Sequence, residues 1–543
     1  MFKIDITFEG KKQTDVFLRN DNVEISGKID LPYAAHLEKD HLVLIAGSIK
    51  CYNGESVELN MAAKMLLNNE VQETDFYGDF ICLAFSRDCV EIYTDPFGQF
   101  PVYYVINNNG SIVLASGKDC KGLSRSDNNI DIDFLSSYIN SGDFIENRTA
   151  IAGMHILSPG FKYCFTSTGG LSREYIINKI ISKAENTNPY TILKKTLEQK
   201  ITAHDKIVLE LSGGVESSSI AAILACHKNN KDIKFLTYYD KYSLSSNELS
   251  HAKKVAKYFN VKLDVIELSD KLPFTPFTEE IPFHPLPGSY ACFYNQQRYM
   301  ADSYDASTLF INGHGGDSIY LAPSPPALFA ETLFNSGVSK AFKILYSISL
   351  QHHSSLFDEA VKSMTNEYIL KNNPQLWYFD SIKNINRYTR PASVFWWQAL
   401  GSTISEVLPI LNHAFSGKTV YYPFLSSPVV INAIRTGFDK LVHNEFNRFP
   451  LRKSVYINTG FRGIWRTDKG DTTYNMLAGI SKNYHFIRNF LLSGHLAEKK
   501  LLDRNLTENI LKKLNLGLPE GLPVIVRLYA AETCLRSLDK GGL

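Results

Sequence analysis

The sequence predicts an α/β protein in two parts: a β-rich N-terminal domain, then a larger parallel-sheet domain that ends in a helical extension. Three observations carry this. Up to about residue 185 the chain is a series of short alternating or apolar runs split by turns, the pattern of half-buried sheet. From about residue 190 strand-like and helix-like stretches take turns, which implies crossovers and a parallel sheet with ligands at the strands' C-terminal ends. Finally, Ile207–Ala222, IVLELSGGVESSSIAA, is an apolar strand that breaks at glycines and resumes as a helix. Such a turn gathers backbone N–H groups and the positive end of a helix dipole, and glycine lets an anion reach the main chain.

In chain order, strands are expected at Phe2–Phe8, Leu42–Ser48, Phe80–Phe85, Val90–Thr94, Val102–Ile106 and Ser111–Ala115, with turns at Asn53-Gly54, Asp95-Pro96 and Asn109-Gly110. Helical patterns interrupt them at Met61–Leu67 and Asp133–Asn140. The polar stretch Ile181–Asn188 is the expected linker, which places the domains at 1–185 and 186–543. The second part reads as helix Tyr190–Ala203, strand Ile207–Leu211, helix Ser217–His227, strand Ile233–Thr237, helix Glu248–Phe259, strand Lys262–Ile266, helix Tyr290–Tyr304 and strand Thr308–Ile311. Beyond about residue 325 the pattern is mostly helical. Its aromatic clusters, Trp377-Tyr378-Phe379 and Phe395-Trp396-Trp397, are expected to be core rather than a ligand cage, because aromatics dominate cores.

Composition narrows the function. With 543 residues, 44% of them apolar and 12% aromatic, the chain is long enough for two or three well-packed domains. A net charge of +1 argues against a general nucleic-acid or membrane-surface binder. The opening, MFKIDITFEG, alternates like a strand and lacks an apolar signal region. The longest apolar stretch, Ala392–Leu411, carries Gln398, Ser402, Thr403, Ser405, Glu406 and Pro409 and reads as a buried helix, not a membrane span. Eight scattered cysteines without a CxxC pair suggest neither a zinc site nor a disulfide framework, and hence a reducing cytoplasm.

The residues that carry chemistry fall in three places. The first is the anion loop: Leu211, Ser212, Gly213, Gly214, Glu216, Ser217 and Ser218. No lysine follows its glycines, so it is not the phosphate loop of the common NTPases. The second is Gly313-His314-Gly315-Gly316-Asp317-Ser318, directly after the apolar strand Leu309-Phe310-Ile311 and so facing the same crevice. Here His314 suits removal of a proton from an amine near neutral pH, or merely hydrogen-bonds the loop. The third is Arg448–Lys469, where Arg448, Arg452, Lys453, Arg462, Arg466 and Lys469 face one acid, Asp468.

These elements, taken with Tyr77-Gly78-Asp79-Phe80, the run Asp95–Tyr104 (DPFGQFPVYY) and Leu157-Ser158-Pro159-Gly160, resemble the asparagine synthetase superfamily in the family's own order. The resemblance implies an N-terminal glutaminase-like (Ntn-type) αββα sandwich and a C-terminal pyrophosphate-loop, Rossmann-like synthetase domain. It also implies that ATP is cut between its α and β phosphates, with Glu216 standing where the family has Asp. Glu216 and Asp317 would hold Mg²⁺ against the pyrophosphate. Thr237 and Tyr238 would contact adenine, joined by Asn247-Glu248 where the family has a similar acidic pair. Gly313, Gly315 and Gly316 would join the loop at the nucleotide. Arg466-Thr467-Asp468-Lys469-Gly470 resembles the late segment whose lysine stabilises the adenylate, which makes Lys469 and His314 the candidate catalytic residues.

Three departures set the expectation within that superfamily. Position 2 is Phe2 where the glutaminase nucleophile would be Cys, Ser426 replaces the Asp of a PFLD-like element, and Thr419 replaces its upstream Glu. The pattern resembles the intramolecular amide formers, most of all lasso-peptide macrolactam synthetases, with β-lactam synthetases next. That resemblance implies adenylation of an Asp or Glu side chain in a precursor peptide, then attack by the peptide's own N-terminal amine, with a leader peptidase as partner and no nucleic acid or membrane. An ammonia-using asparagine synthetase and a catalytically inactive binding scaffold are the alternatives.

Overall fold

The computed structural model describes residues 2–8, 16–19, 23–38, 41–52, 57–86, 89–123, 130–145, 147–183, 187–241, 248–365, 379–386, 389–411, 418–468, 470 and 472–539. Across these described residues it is a mixed α/β protein with three sheets. Twelve strands come first: β1 (Phe2–Phe8), β2 (Val16–Arg19), β3 (Val23–Ile29), β4 (Tyr33–Glu38), β5 (His41–Cys51), β6 (Phe76–Ser86), β7 (Cys89–Thr94), β8 (Tyr103–Ile106), β9 (Ile112–Ser116), β10 (His155–Ile156), β11 (Phe161–Thr166) and β12 (Leu171–Tyr175). They form two six-stranded sheets, ordered β10-β8-β9-β1-β3-β2 and β12-β11-β7-β6-β5-β4.

Period-two alternation decides what each strand buries. Leu42, Leu44 and Ala46 of β5 pack with Ile81 and Leu83 of β6 against Ile4, Ile6 and Leu114 of the other sheet, forming the core between the layers. The intervening Val43 and Ile45 belong to a separate core with Ala62 and Ala63 of the helix Leu59–Leu67, which lies on β4 and β5. The strands at Phe2–Phe8, in 41–51 and 76–94, and at 103–116 match the sequence expectation. Strands β2, β3, β4, β10, β11 and β12 lie outside that expectation: β2 and β10 are short and β12 is mostly exposed, each held by its ladder, whereas β11 does alternate between buried and half-buried residues.

One expectation is overturned here. Cys89 and Cys164 form a disulfide between neighbouring strands β7 and β11, 75 residues apart in the chain. Linear spacing cannot show a pair that sheet register creates, and cysteine usage therefore no longer argues for a reducing compartment. No helix among the described residues is long and apolar enough to cross a membrane.

The third sheet is parallel, with order β15-β14-β13-β16-β17, where β13 is Lys206–Glu210, β14 Asp232–Tyr239, β15 Leu263–Glu267, β16 Leu309–Ile311 and β17 Thr419–Tyr421. Strands are laid outward from β13 to β15, then the chain crosses to β16 and β17 on the other side. The order thus reverses between β13 and β16, and in open α/β sheets the crevice beyond such a reversal is where ligands bind. The helices expected in 190–304 are present, with small boundary shifts. Pro391–Leu411 is a buried helix as expected, and Trp396 is core, its indole N–H donating to the Ile319 carbonyl at 2.8 Å. The Trp377-Tyr378 pair and the 185/186 boundary lie outside the described residues.

A polar seam joins the sandwich to the parallel-sheet part. Gln99 donates to Ser426 Oγ at 3.1 Å and accepts from the Tyr422 N–H at 3.2 Å. Asp95 accepts from the Gln99 and Phe97 amides and from Ser427 Oγ, while Lys200 pairs with Asp79. Ser426, where a PFLD-like element would have Asp, is thus part of this seam.

Candidate active site

The two glycine-rich turns meet. β13 and β16 are hydrogen-bonded neighbours in register Ile207↔Leu309 to Leu209↔Ile311, so the loops leaving their C-terminal ends emerge side by side. Gly213 has φ +78°, and a Cβ there would lie 2.7 Å from that of His251, so this tight turn admits only glycine. A Cβ on Gly316 would fall 2.5 Å from Glu216 Cγ, and one on Gly313 2.9 Å from Glu216 Cβ. The second loop is therefore seated on the Glu216 side chain, and Asp317 follows at the next residue.

The helix Val215–Leu224 begins at Gly214 with no side-chain cap, leaving its first N–H groups open toward the crevice. Gly214 N donates to Ser212 Oγ at 3.2 Å, and Ser212 and Ser217 hydroxyls are 3.2 Å apart. Ser218 is 1% exposed, and its hydroxyl has no hydrogen-bond partner among the described residues. A buried hydroxyl without a partner in a loop of open N–H groups is a feature of an anion cradle.

The basic stretch turns inward. Arg448, at the start of the helix Phe449–Thr459, pairs with Glu216. Arg452 is 2% exposed and donates to the carbonyls of Asn447 (2.7 Å) and Arg466 (2.7 Å); burial and the neighbouring Arg448 lower its pKa to about 10, against the pull of Glu216. Arg466 bonds Glu248 Oε1 at 2.9 Å and reaches the Ser212 carbonyl at 3.4 Å, which ties this segment to the first loop. Three cations thus stand behind the anion loop. The sequence placed Arg448 and Arg466 in a basic run and put the weight on Lys469, which lies outside the described residues, as does Asn247.

In front of the loops opens a cavity of about 500 Å³. Glu210, Tyr238, Asn312, His314, Glu406 and Tyr422 are among the residues that line it. His314 holds its loop through its backbone N–H, which donates to Asn312 Oδ1 at 2.8 Å, while its ring Nε2 sits 3.1 Å from Glu406 Oε2. Asn312 Nδ2 donates to Glu210 Oε2 at 2.8 Å, and burial pushes the Glu210 pKa up to about 7. Thr237 is buried in β14, whereas Tyr238, the next residue, faces the cavity.

With this geometry in hand, comparison with known proteins is informative. The asparagine synthase family matches residues 190–520, which spans the parallel sheet, both loops and the arginine segment. The chain belongs to the asparagine synthase family. As a member of this family it is an ATP-dependent amide ligase, in a family whose enzymes use ATP and typically Mg²⁺. No curated protein sequence matches the chain. Two solved structures are similar: one titled as the allosteric regulatory enzyme of purine biosynthesis, with 10% identity, TM-score 0.20, and 49% of this chain and 74% of that one covered. The other is the glutamine phosphoribosylpyrophosphate amidotransferase of B. subtilis in complex with ADP and GMP, with 9% identity, TM-score 0.18 and coverages of 59% and 71%. At such scores neither likeness bears on function.

For this asparagine synthase family member, sequence reading missed Glu210, Asn312 and Glu406. A signal existed for two of them: Glu210 is the one charge within the apolar strand Ile207–Leu211, and Glu406 the one charge in the apolar helix Ala392–Leu411. For Glu210, which burial pushes up to about 7, such a charge costs several kcal/mol unless paired or used, on the order of the penalties measured for buried ions; Glu406 lies on the exposed side of its helix. Among the described residues no cluster of three or more His, Cys, Asp or Glu is arranged to hold a metal. Asp317 Oδ1 accepts from the Ser318 N–H at 3.1 Å.

Proposed function

We propose that this chain forms an amide bond within a peptide, as a lasso-peptide macrolactam synthetase does. ATP adenylates an Asp or Glu side chain of a precursor peptide with release of pyrophosphate. The peptide's N-terminal amine then attacks the acyl-adenylate and AMP leaves. The observation that carries the reading is the His314–Glu406 pair, set on the second glycine loop at the mouth of a cavity that adjoins the anion loop.

Each group has a role that follows from its place. The open N–H groups of the first turn, Val215–Ser217, and the Ser218 hydroxyl receive the phosphates, with Arg448, Arg452 and Arg466 supplying positive potential behind them. His314, its imidazole held by the Glu406 carboxylate, accepts the proton of the attacking amine; the carboxylate stabilises the imidazolium that forms. Lys469 is assigned to the oxyanion of the tetrahedral intermediate. Holding amine and acyl group together in one cavity converts a bimolecular encounter into an intramolecular one.

Glu216 and Asp317 suit Mg²⁺, which binds one or two carboxylates and otherwise substrate phosphates, so a site without a full protein cage fits it. When bound, the ion neutralises charge on the departing pyrophosphate.

The sandwich supplies no activated thiol that would release ammonia from glutamine. Burial pushes the Cys120 pKa up to about 12 and that of Cys82 higher still, Cys51 is buried, and Cys89 and Cys164 are bonded to each other. This favours an amine carried by the substrate itself over free ammonia. A precursor peptide and the peptidase that exposes its amine are the partners this reading requires.

The test uses the full-length protein with Mg·ATP and a short peptide, taken from a neighbouring reading frame, that has a free N-terminus and an internal Asp or Glu. AMP release that depends on the peptide, with a product lighter by one water, is expected. Aspartate- and ammonia-dependent AMP release without peptide cyclisation would replace the reading with an asparagine synthetase. His314→Gln is expected to lower cyclisation about a hundredfold, in line with loss of a general base, while Mg·ATP binding persists.

A further inference from the structure

The cavity beside His314 and the loop behind it have opposite electrical character. Behind the glycine turns stand Arg448, Arg452 and Arg466. The cavity instead carries three carboxylates, Glu210, Asp240 and Glu406, and no lysine or arginine among its described lining residues. Its walls include Tyr238, Tyr290, Phe293 and Tyr422, aromatic faces of the kind that attract cations. An adenylated carboxyl group is anionic and belongs at the basic end. The acidic, aromatic end suits a ligand of the other sign.

Among the three carboxylates Glu210 is singular. It ends β13, the central strand of the parallel sheet, where a charge is expensive unless it has a purpose. Glu406 has an imidazole beside it, whereas the hydrogen bond that Glu210 accepts comes from the neutral Asn312 amide. The same Asn312 side chain accepts from the His314 backbone N–H. One amide therefore fixes Glu210 with respect to the loop that bears His314, over 2.8 Å on each side. Burial, which pushes Glu210 up to about 7, marks a carboxyl that a bound cation would stabilise in its ionised form.

We propose that this cavity selects the nucleophile as a cation, and that Glu210 is the specificity residue that receives the substrate's ammonium group before His314 deprotonates it. The proposal rests on the amide-ligase reading above and adds to it the chemical class of the nucleophile: a primary amine that arrives protonated on an otherwise uncharged or cationic segment, as a peptide N-terminus does. A carboxylate–ammonium contact in a half-closed cavity accounts for discrimination of about tenfold or more against a neutral isostere.

The experiment measures binding of glycylglycinamide, and of its N-acetylated form, to the full-length protein by saturation-transfer NMR and titration calorimetry. Wild type is expected to bind the free amine and to ignore the acetylated one. Glu210→Gln preserves the shape and the hydrogen bond with Asn312, so it is expected to melt no lower than wild type while the amine binds about tenfold more weakly; Glu210→Asp is expected to retain most of the affinity. Equal binding of both probes, no binding to wild type, or a Glu210→Gln variant with unchanged affinity would each overturn the proposal. Mg·ATP binding measured on the same samples separates this outcome from failure of the ligase reading, because the phosphate loop lies outside the cavity.

Discussion

Glu216 has two neighbours that give it two jobs, and a pair of substitutions separates them. Its carboxylate is paired with Arg448, the two side chains being 15% and 10% exposed; it also supports Gly313 and Gly316 of the second loop. Removing one partner of a buried ion pair costs about 3–5 kcal/mol, and with this residual exposure the lower figure, about 3 kcal/mol, applies. Arg452 next to it adds to the cost, since a lone Arg448 would face another guanidinium with no counter-charge. Glu216→Ala is thus expected to lower stability by about 3 kcal/mol, and Glu216→Ala with Arg448→Met to recover about 2 kcal/mol of it by deleting the orphaned charge. If Glu216 also serves the metal and phosphates, the double variant regains stability without regaining Mg·ATP affinity, whereas Glu216→Asp, which keeps the carboxylate, retains that affinity. Urea denaturation followed by tryptophan fluorescence and calorimetric titration with Mg·ATP read the two effects separately. A Glu216→Ala variant as stable as wild type would refute the pairing argument; recovery of Mg·ATP affinity in the double variant would reduce Glu216 to a structural residue.

Three further expectations follow from the same geometry. Gly316→Ala drives a methyl group into Glu216 Cγ, so it should separate the loops, cost about 1–3 kcal/mol and weaken Mg·ATP binding, as seen by thermal melting with and without nucleotide. Glu210 has a native pKa near 7, above its unfolded value; the native state then holds the extra proton, stability falls as pH rises from about 4.5 through 7, and Glu210→Gln should gain about 1–2 kcal/mol over wild type at pH 8 but nothing at pH 4, a denaturation series being the check. Asp95→Ala leaves the buried Gln99 and Phe97 amides and the Ser427 hydroxyl without their acceptor, at about 1–3 kcal/mol for each unsatisfied group, so hydrogen exchange should rise at Tyr422 and through the helix Ser427–Arg435; unchanged protection there would show that the seam is held elsewhere.

Much of the architecture was legible from local pattern. Apolar runs of three to five residues followed by glycine marked β13 and β16, and both turns proved to be neighbours at the sheet's reversal point. The strand β17 was not legible: three residues, Thr419–Tyr421, become a strand because β16 offers an edge to pair with. Strands β11 and β12 and the Cys89–Cys164 bond likewise depend on register between segments far apart in the chain.

The sequence by itself determined the strand–helix alternation of residues 190–311, the two glycine loops and the membership of His314, Glu216 and Asp317 in them, because hydrophobic period and backbone freedom are properties of a few adjacent residues. Only the tertiary structure decided which charges face one another. Arg448 meets Glu216 across 232 residues, Asn312 meets Glu210 across 102, and Glu406 meets His314 across 92. A buried charge is stable only beside its partner, and that partner is chosen by the packing of the whole sheet and its helices, which no local window contains.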